Sequence, residues 1–309
     1  MKNKSWSRRL VCGAIAAAFV FVAALSLAKP SAAAAENGTE ESFQAVDEND
    51  EAETAETAAS TVSEEADQTK TEAVQDQSGK NTTKKDSAKK DEAKKKVEPN
   101  GYVVVIDAGH QKEGDSSQEP IGPGASETKA KVTSGAYGKT SHLNEYELNL
   151  MVAKKLKKEL EKRGYEVIMC REKNDVNISN SERAKIANDA NADAFIRIHA
   201  DDGEDTSLQG IMTICQTPDN PYNGELYDKS YLLSECVLEE AVAATGAKKR
   251  YVWETDSMSG INWAEVPVTI LEMGFMSNPE EDALMATSAY QKKMAKGVAN
   301  GIDRYIKER

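Results

Sequence analysis

The sequence predicts an α/β fold in which a largely parallel or mixed sheet is covered by helices on both faces. From residue 101 onward, short apolar runs rich in β-branched residues alternate with amphipathic segments of helical length. This β-α-β alternation is typical of sheets whose connecting helices pack on the sheet faces. No internal repeat or second module is visible, so we expect a single folded domain over residues 100–309.

Each element has its own signal. The clearest helix is expected at residues 145–163, because leucine or valine recurs there at helical spacing and Gly164 follows as a stop signal. Strands are expected at residues 103–107, 165–170, 194–199, 210–215 and 267–272. Further helices are expected from a serine cap at 179 or 181 to about 190, and at 231–244, 280–285 and 289–306, while residues 250–263 could include a short strand.

Residues 1–35 have the composition of a secretory signal peptide. A basic start is followed by an almost entirely apolar run at residues 10–28 and by small residues that offer cleavage sites at 32–35. The apolar run is also about long enough to span a bilayer, so an uncleaved membrane anchor is the alternative. Either interpretation predicts that the rest of the chain is exported from the cytoplasm.

Residues 36–99 are expected to form a disordered, charged, low-complexity linker. Phe43 is the only aromatic residue there, so the segment cannot bury enough apolar surface to offset the loss of chain entropy. Its first part is acidic, whereas residues 80–96 are rich in lysine. The lysines could contact an anionic polymer or a membrane surface, although a solvated spacer is the simpler interpretation.

The overall charge and the cysteines exclude several classes of protein. The formal net charge of −13 gives no basic footprint for nucleic acid. Cys12 lies in the predicted signal peptide, which leaves Cys170, Cys215 and Cys236. An odd number without C-x-x-C spacing argues against a disulfide scaffold and against a cysteine zinc site. We expect these three thiols to be buried as small apolar groups.

Two of the three histidines follow predicted core strands. His110 comes after the first strand and His199 ends the third, and ligands usually bind at the carboxyl edge of an α/β sheet. Zinc hydrolases commonly use two histidines and a carboxylate and leave a fourth position for water. His142 lies in the long Gly-, Ser- and Pro-containing segment 111–143, where a substrate contact or no role fits better.

Two glutamates are candidates for the carboxylate chemistry. Glu145 begins the helix, where the positive end of the helix dipole favours the ionised form that a metal requires. An ordinary first-turn glutamate fits that position equally well, and Glu147 is a fallback that should point another way. Glu272 follows an apolar strand, where a carboxylate needs a chemical role or a partner. It is either a general acid–base, or a glutamate that caps a helix or forms a salt bridge near Arg171 or Arg197.

Four sequence blocks carry a family resemblance. In order along residues 102–306, they are VIDAGH, NEYELNL, FIRIHAD and ILEMGFMSNPEE. Together they resemble the zinc-dependent N-acetylmuramoyl-L-alanine amidases, peptidoglycan hydrolases of the amidase-3 type. The resemblance implies one Zn²⁺ per catalytic domain, bound by His110, Glu145 and His199, with Glu272 as the catalytic glutamate. It also implies a mixed sheet of about six strands flanked by helices.

The reaction implied by the resemblance is hydrolysis of the amide between N-acetylmuramic acid and L-alanine of the stem peptide by zinc-activated water. Peptidoglycan would be the partner, with anionic wall polymer or membrane as a further partner of the linker. The location would be the cell wall or the outer face of the cytoplasmic membrane. A zinc peptidase or carboxypeptidase acting on stem peptides is one alternative, and a catalytically inactive wall-binding or regulatory homologue is another.

The segment between His110 and Glu145 is longer than in the simplest family pattern. Long loops inside compact domains are usually functional. We therefore expect residues 111–144 to form a wall of the substrate groove or to cover part of the zinc site.

Overall fold

The computed structural model describes residues 97–309. The predicted signal peptide and nearly all of the predicted linker lie outside these described residues. Within residues 97–309, no helix combines the length and the apolar character that crossing a membrane requires.

The described chain folds into strands and helices in the predicted alternation. The strands are β1 (Val103–Ala108), β2 (Asp115–Pro120), β3 (Thr128–Val132), β4 (Glu166–Met169), β5 (Ala194–Asp201), β6 (Ile211–Cys215), β7 (Lys249–Glu254) and β8 (Val268–Phe275). The helices are α1 (Glu145–Glu161), α2 (Asn180–Asp189), α3 (Tyr227–Thr245), α4 (Ser259–Asn262), α5 (Pro279–Met285) and α6 (Ser288–Glu308).

Six of the strands form one mixed sheet in the order β4-β1-β5-β8-β6-β7. The strands from β4 to β8 in this order run parallel to one another. Strand β6 pairs antiparallel with β8, and β7 pairs parallel with β6. The predicted mixed, six-stranded α/β fold is therefore confirmed.

Helix α1 shows how the sequence builds one layer. Its stripe of Leu148, Val152, Leu156 and Leu160 is fully or almost fully buried in the larger apolar cluster. The helix begins with a capping box, in which the backbone amide of Asn144 donates to the Glu147 carboxylate at 3.0 Å. Because the stripe packs against the sheet, the first turn of α1 is carried to the carboxyl ends of the central strands.

The two faces of the sheet are covered by different helices. On one face, α1, α3 and α6 enclose the larger apolar cluster, to which β1 contributes Val104 and Ile106. On the other face, α2 and α4 pack on a smaller cluster that includes Val105. Since side chains alternate along a strand, Asp107 of β1 projects to the second face with Val105.

The segment after His110 contains a hairpin that the sequence did not reveal. Strands β2 and β3 pair antiparallel within residues 111–144, which we expected to be a loop. Their sequences, DSSQEP and TKAKV, are mostly polar and lack the apolar alternation that indicates a strand; β2 is mostly exposed and β3 mostly half-buried. The ambiguous region after residue 248 likewise contains strand β7 and the short helix α4.

This hairpin is fixed to the body of the domain. The carboxylate of Glu119 accepts hydrogen bonds from the backbone amide and the hydroxyl of Ser181, at 3.1 and 2.6 Å. The indole of Trp263 donates to the carbonyl of Pro120 at 2.8 Å. Ile121, just after β2, and Val132, the last residue of β3, are both buried.

The three cysteines of the described chain are free thiols. Cys170, Cys215 and Cys236 are buried, and burial raises the pKa of each thiol. The prediction that they pack as small apolar groups is confirmed.

Candidate metal centre

Three predicted ligand residues meet at the carboxyl edge of the sheet. His110 follows β1, His199 lies near the end of the neighbouring strand β5, and Glu145 is the first residue of α1. Nε2 of His110 lies 3.1 Å from Nδ1 of His199 and 3.1 Å from Oε2 of Glu145. Nδ1 of His199 lies 3.3 Å from Oε1 of Glu145. All three residues are buried.

The spacing of these donor atoms fits a zinc ion. A tetrahedral zinc ion with bonds of about 2.0–2.1 Å would hold its ligand atoms about 3.3 Å apart. The observed separations of 3.1–3.3 Å, which involve both carboxylate oxygens of Glu145, are close to that value, and one donor atom from each residue can be chosen so that all three lie within 4.8 Å of one another. Two imidazoles and one carboxylate also form a donor set that zinc enzymes use and that leaves a fourth position open.

The pKa shifts of Glu145 and His199 favour the forms that bind a metal. Burial opposes ionisation of Glu145, but the two neighbouring histidines outweigh it and hold its pKa well below the usual range. Burial also lowers the pKa of His199, which favours the neutral imidazole. Metals bind carboxylates and neutral imidazoles, so these are the required forms.

A hydrogen bond fixes the ring of His110. Its Nδ1 lies 3.1 Å from the carbonyl oxygen and 2.9 Å from the hydroxyl of Thr133. A neutral His110 with its proton on Nδ1 would donate to this carbonyl and present the lone pair of Nε2 to the site. Thr133 directly follows β3, so the hairpin segment orients a candidate ligand.

The carboxylate of Glu145 is held from three sides. Backbone amides donate to it from Ala136, at 3.0 Å to Oε2, and from Ala200, at 3.0 Å to Oε1. The side-chain amide of Asn149 also donates to Oε1 at 3.0 Å. These contacts leave the carboxylate little freedom to turn away from the histidines.

Two glycines permit the close packing of this centre. A Cβ atom on Gly109 would collide with the imidazole ring of His199. Gly135 has a φ of +79°, and a Cβ there would press on Glu145 and His110. His110 itself has a φ of 60°, a left-handed conformation that is uncommon for a residue with a side chain.

Glu272 lies beside His199, within strand β8 rather than at its end. The two residues are paired in register between the parallel strands β5 and β8, so their side chains project from the same face of the sheet. Glu272 is half-buried, whereas the other residues of β8 are buried. The pairing register of β5 and β8 shifts between His199 and Asp201, and Asp201 then pairs with Phe275. Irregularities of this kind, such as β-bulges, are common next to active sites.

The other residues weighed from the sequence have different surroundings. His142 is exposed, with its Nδ1 3.2 Å from the hydroxyl of Tyr137. Glu147 caps the helix through Asn144. Neither belongs to the group formed by His110, Glu145 and His199.

The two arginines considered as salt-bridge partners of Glu272 bind other groups. Arg197 donates to Asp107 at 3.1 Å and to Asn180 at 2.6 Å. Arg171 binds main-chain carbonyl groups, including that of Ala108 at 2.7 Å. The contacts of Thr133 and Arg171 could not be predicted from the sequence, because both involve backbone carbonyls. Asn149 could have been noticed in the sequence, because it is a polar residue on the predicted apolar face of α1, one turn after Glu145.

Comparisons with known proteins agree with this site. The family model described as N-acetylmuramoyl-L-alanine amidase matches residues 104–304. An N-acetylmuramoyl-L-alanine amidase of Mycobacterium tuberculosis is 27% identical over 216 residues, which cover 67% of this chain and 87% of the relative.

Solved structures show the same fold. The apo form of the amidase Ami1 from Mycobacterium abscessus has a TM-score of 0.61 at 26% identity, covering 67% of this chain and 99% of that one. An N-acetylmuramoyl-L-alanine amidase from Clostridium difficile 630 has a TM-score of 0.55 at 25% identity, covering 68% and 99%.

The α/β fold, with histidine and carboxylate donors gathered at the carboxyl edge of its sheet, is of the kind found in metal-dependent hydrolases. The chain belongs to the N-acetylmuramoyl-L-alanine amidase family, because the family model matches well over half of its length. The predicted relation to peptidoglycan hydrolases of the amidase-3 type is confirmed, and with it the enzyme class.

Proposed function

We propose that this chain is an exported amidase that cleaves the bond between N-acetylmuramic acid and L-alanine in peptidoglycan. The observation that carries the proposal is the cluster of His110, Glu145 and His199, with donor atoms within 4.8 Å of one another, in a chain of this family. Export is supported by the signal-like composition of residues 1–35. The lysine-rich residues 80–96 would contact anionic wall polymer or membrane.

His110, Glu145 and His199 would hold one zinc ion. When bound, zinc supplies a Lewis acid that lowers the pKa of water towards neutrality and polarises the amide carbonyl. The protein's contribution is to present two neutral imidazoles and one carboxylate in fixed orientations. Thr133 fixes the ring of His110, and the amides around Glu145 fix its carboxylate.

Glu272 is the proposed general base and acid. Its carboxylate would take a proton from the attacking water as the new C–O bond forms. It would then deliver that proton to the nitrogen of L-alanine as the C–N bond breaks, so the products are a free carboxyl group on the sugar and a free amine. A position beside His199 on the same sheet face suits this role.

Product analysis tests the proposal. Purified peptidoglycan is treated with the protein, and the released fragments are analysed by mass spectrometry and amino-terminal labelling. An amidase releases intact stem peptides whose L-alanine has a free amino group. Peptide fragments that leave L-alanine on the sugar would instead show a zinc peptidase.

The same assay addresses a homologue without activity. The wild-type protein and Glu272→Ala are loaded with zinc, and the metal content of both is measured. A zinc-loaded wild type that digests peptidoglycan no faster than the variant would overturn the enzymatic proposal.

The hairpin of β2 and β3 would form one wall of the substrate groove. Ser134 is exposed and lies between Thr133, which contacts His110, and Gly135, where a Cβ atom would press on Glu145 and His110. Ser134→Trp should therefore raise KM for peptidoglycan fragments while zinc affinity stays unchanged. Ser126→Trp, at the exposed turn of the same hairpin, is the matched control. Equal KM values for both variants and the wild type would contradict this role.

A further inference from the structure

The backbone turn that carries His110 is held by buried side chains. The Ala108 carbonyl accepts hydrogen bonds from Arg171 Nε at 2.7 Å and from Arg183 Nη1 at 3.0 Å. The next carbonyl, of Gly109, accepts from Arg171 Nη2 at 3.0 Å. Arg183 Nη2 donates to the carbonyl of His110 at 3.1 Å. Three successive carbonyls are thus bound by guanidinium groups at the point where φ becomes positive.

Two of the groups around this turn also reach the segment that carries Glu145. Arg171 Nη2 donates to the carbonyl of Tyr146, in the first turn of α1, at 2.7 Å. Asn149 Nδ2 donates both to the carbonyl of Gly109, at 3.3 Å, and to Oε1 of Glu145, at 3.0 Å. Arg171 and Asn149 therefore connect the backbone next to one ligand with the helix of the other, and they share the Gly109 carbonyl.

The surroundings of Arg171 are unusual for a buried cation. The residue is 3% exposed, and within residues 97–309 it makes no ion pair with a carboxylate. Its acceptors are carbonyl oxygens of the backbone and of the Asn174 side chain. A cation buried without an anionic partner is costly. The hydrogen bonds of Arg171 to both ligand-carrying segments explain why a cation is buried at this position.

Asn149 is a second buried polar residue whose position is explained by contacts with both ligand segments, in this case from helix α1. It is fully buried on the apolar face of α1, where a leucine would fit the pattern, and its Oδ1 has no hydrogen-bond partner among residues 97–309. Its Nδ2 faces two acceptors, and this hydrogen-bond network assigns the orientation of the amide. The donor side of Asn149 is therefore the part that the structure uses.

We propose that Arg171 and Asn149 are positioning residues that lock the His110 turn to the Glu145 helix and so set the affinity of the metal centre. The inference rests on the proposed function, since it takes His110 and Glu145 as zinc ligands. Without the lock, the two ligand segments could shift independently, and the ion would have to order them on binding. Partners of this kind, one layer outside the ligands, typically change metal affinity 10- to 100-fold.

The test measures zinc binding rather than catalysis. Arg171→Lys keeps the charge, but a single ammonium cannot reproduce the planar fork that binds several carbonyls. Asn149→Leu removes the donor and retains a similar volume. Zinc Kd is measured by competition with a chromogenic chelator, and the absorption spectrum of the cobalt-substituted protein reports ligand geometry. Both variants should show a zinc Kd raised 10- to 100-fold and an altered cobalt spectrum.

Arg163→Lys is the matched control. Arg163 pairs with Asp303 at 2.7 Å and with Glu159 at 3.0 Å, beyond the far end of α1. That end lies about 25 Å from Glu145 by the rise of a helix. This variant should lower the thermal midpoint of the apoprotein and leave zinc Kd and the cobalt spectrum unchanged.

The outcomes separate this inference from the proposed function. A wild-type protein that binds no zinc would defeat the proposed function itself. The positioning role alone would be overturned if the wild type binds zinc and both Arg171→Lys and Asn149→Leu fold and bind zinc with a Kd within twofold of the wild-type value. If Arg171→Lys does not fold, Asn149→Leu decides the question.

Discussion

The face of the sheet covered by α1, α3 and α6 is apolar, whereas the face covered by α2 and α4 contains buried charges. On the second face, Asp107 binds Arg183 at 2.6 Å and Arg197 at 3.1 Å, and all three side chains are fully buried. His199 and Glu272 project from this face as well, whereas Glu145 reaches the site from a helix of the other. The two faces therefore stabilise the domain by different means, one by apolar packing and the other by buried ion pairs, and the candidate ligands come from both.

The largest expected effect is the loss of catalysis when Glu272, on the charged face, is replaced. Glu272→Gln keeps the shape of the side chain but cannot accept the proton from water, so peptidoglycan hydrolysis should fall about 10²- to 10⁴-fold. Zinc content and the thermal midpoint should stay close to those of the wild type. Hydrolysis at the wild-type rate would remove Glu272 from the mechanism.

The second effect concerns the ionic cluster. Burial opposes ionisation of Asp107, but Arg183 and Arg197 outweigh it and hold its pKa far below the ordinary range. Asp107→Asn leaves two buried guanidinium groups without their anion, so the free energy of unfolding should fall by about 3–5 kcal/mol. Chemical denaturation of the apoprotein measures this. A loss below about 1 kcal/mol would show that the cluster is not a structural part of this face.

On the apolar face, a cavity should affect stability alone. Leu156 is fully buried in α1, and Leu156→Ala should lower the free energy of unfolding by about 2–5 kcal/mol. Zinc Kd of the folded variant should equal that of the wild type. A weakened zinc Kd would show that the apolar packing of α1, as well as the polar contacts of Arg171 and Asn149, sets the metal affinity.

The smallest effect distinguishes two neighbouring glutamates. Glu147→Ala removes one half of the capping box of α1 and should cost about 0.5–2 kcal/mol of stability with zinc binding intact. Glu145→Ala, two residues earlier, should abolish zinc binding. Calorimetric zinc titration of the two variants makes the comparison, and loss of binding in Glu147→Ala would reverse the assignment.

Much of the fold could be predicted because its core strands are strongly apolar. Runs of β-branched residues predict strands β1 and β8, and the leucine stripe predicts helix α1. The β2–β3 hairpin could not be found in this way. Its strands are polar and only partly buried, and it is held by polar contacts such as those between Glu119 and Ser181.

The candidate site was only partly visible from the residues themselves. Strand ends pointed to His110 and His199, but position alone left Glu145 undecided between a ligand and an ordinary first-turn residue. The structure brings its carboxylate to 3.1 Å from His110. Thr133 and Arg171 could not be foreseen, because their contacts run through main-chain carbonyls whose positions depend on the completed fold.

The glycine before His110 has a consequence for how relatives of this chain are judged. Since a Cβ on Gly109 would collide with the ring of His199, one added methyl group would displace a ligand without changing any of the four candidate residues. A related sequence could therefore retain two histidines and two glutamates, and so seem fully equipped, while lacking the space to assemble them. An inventory of active and inactive homologues should record residue 109 along with the ligands.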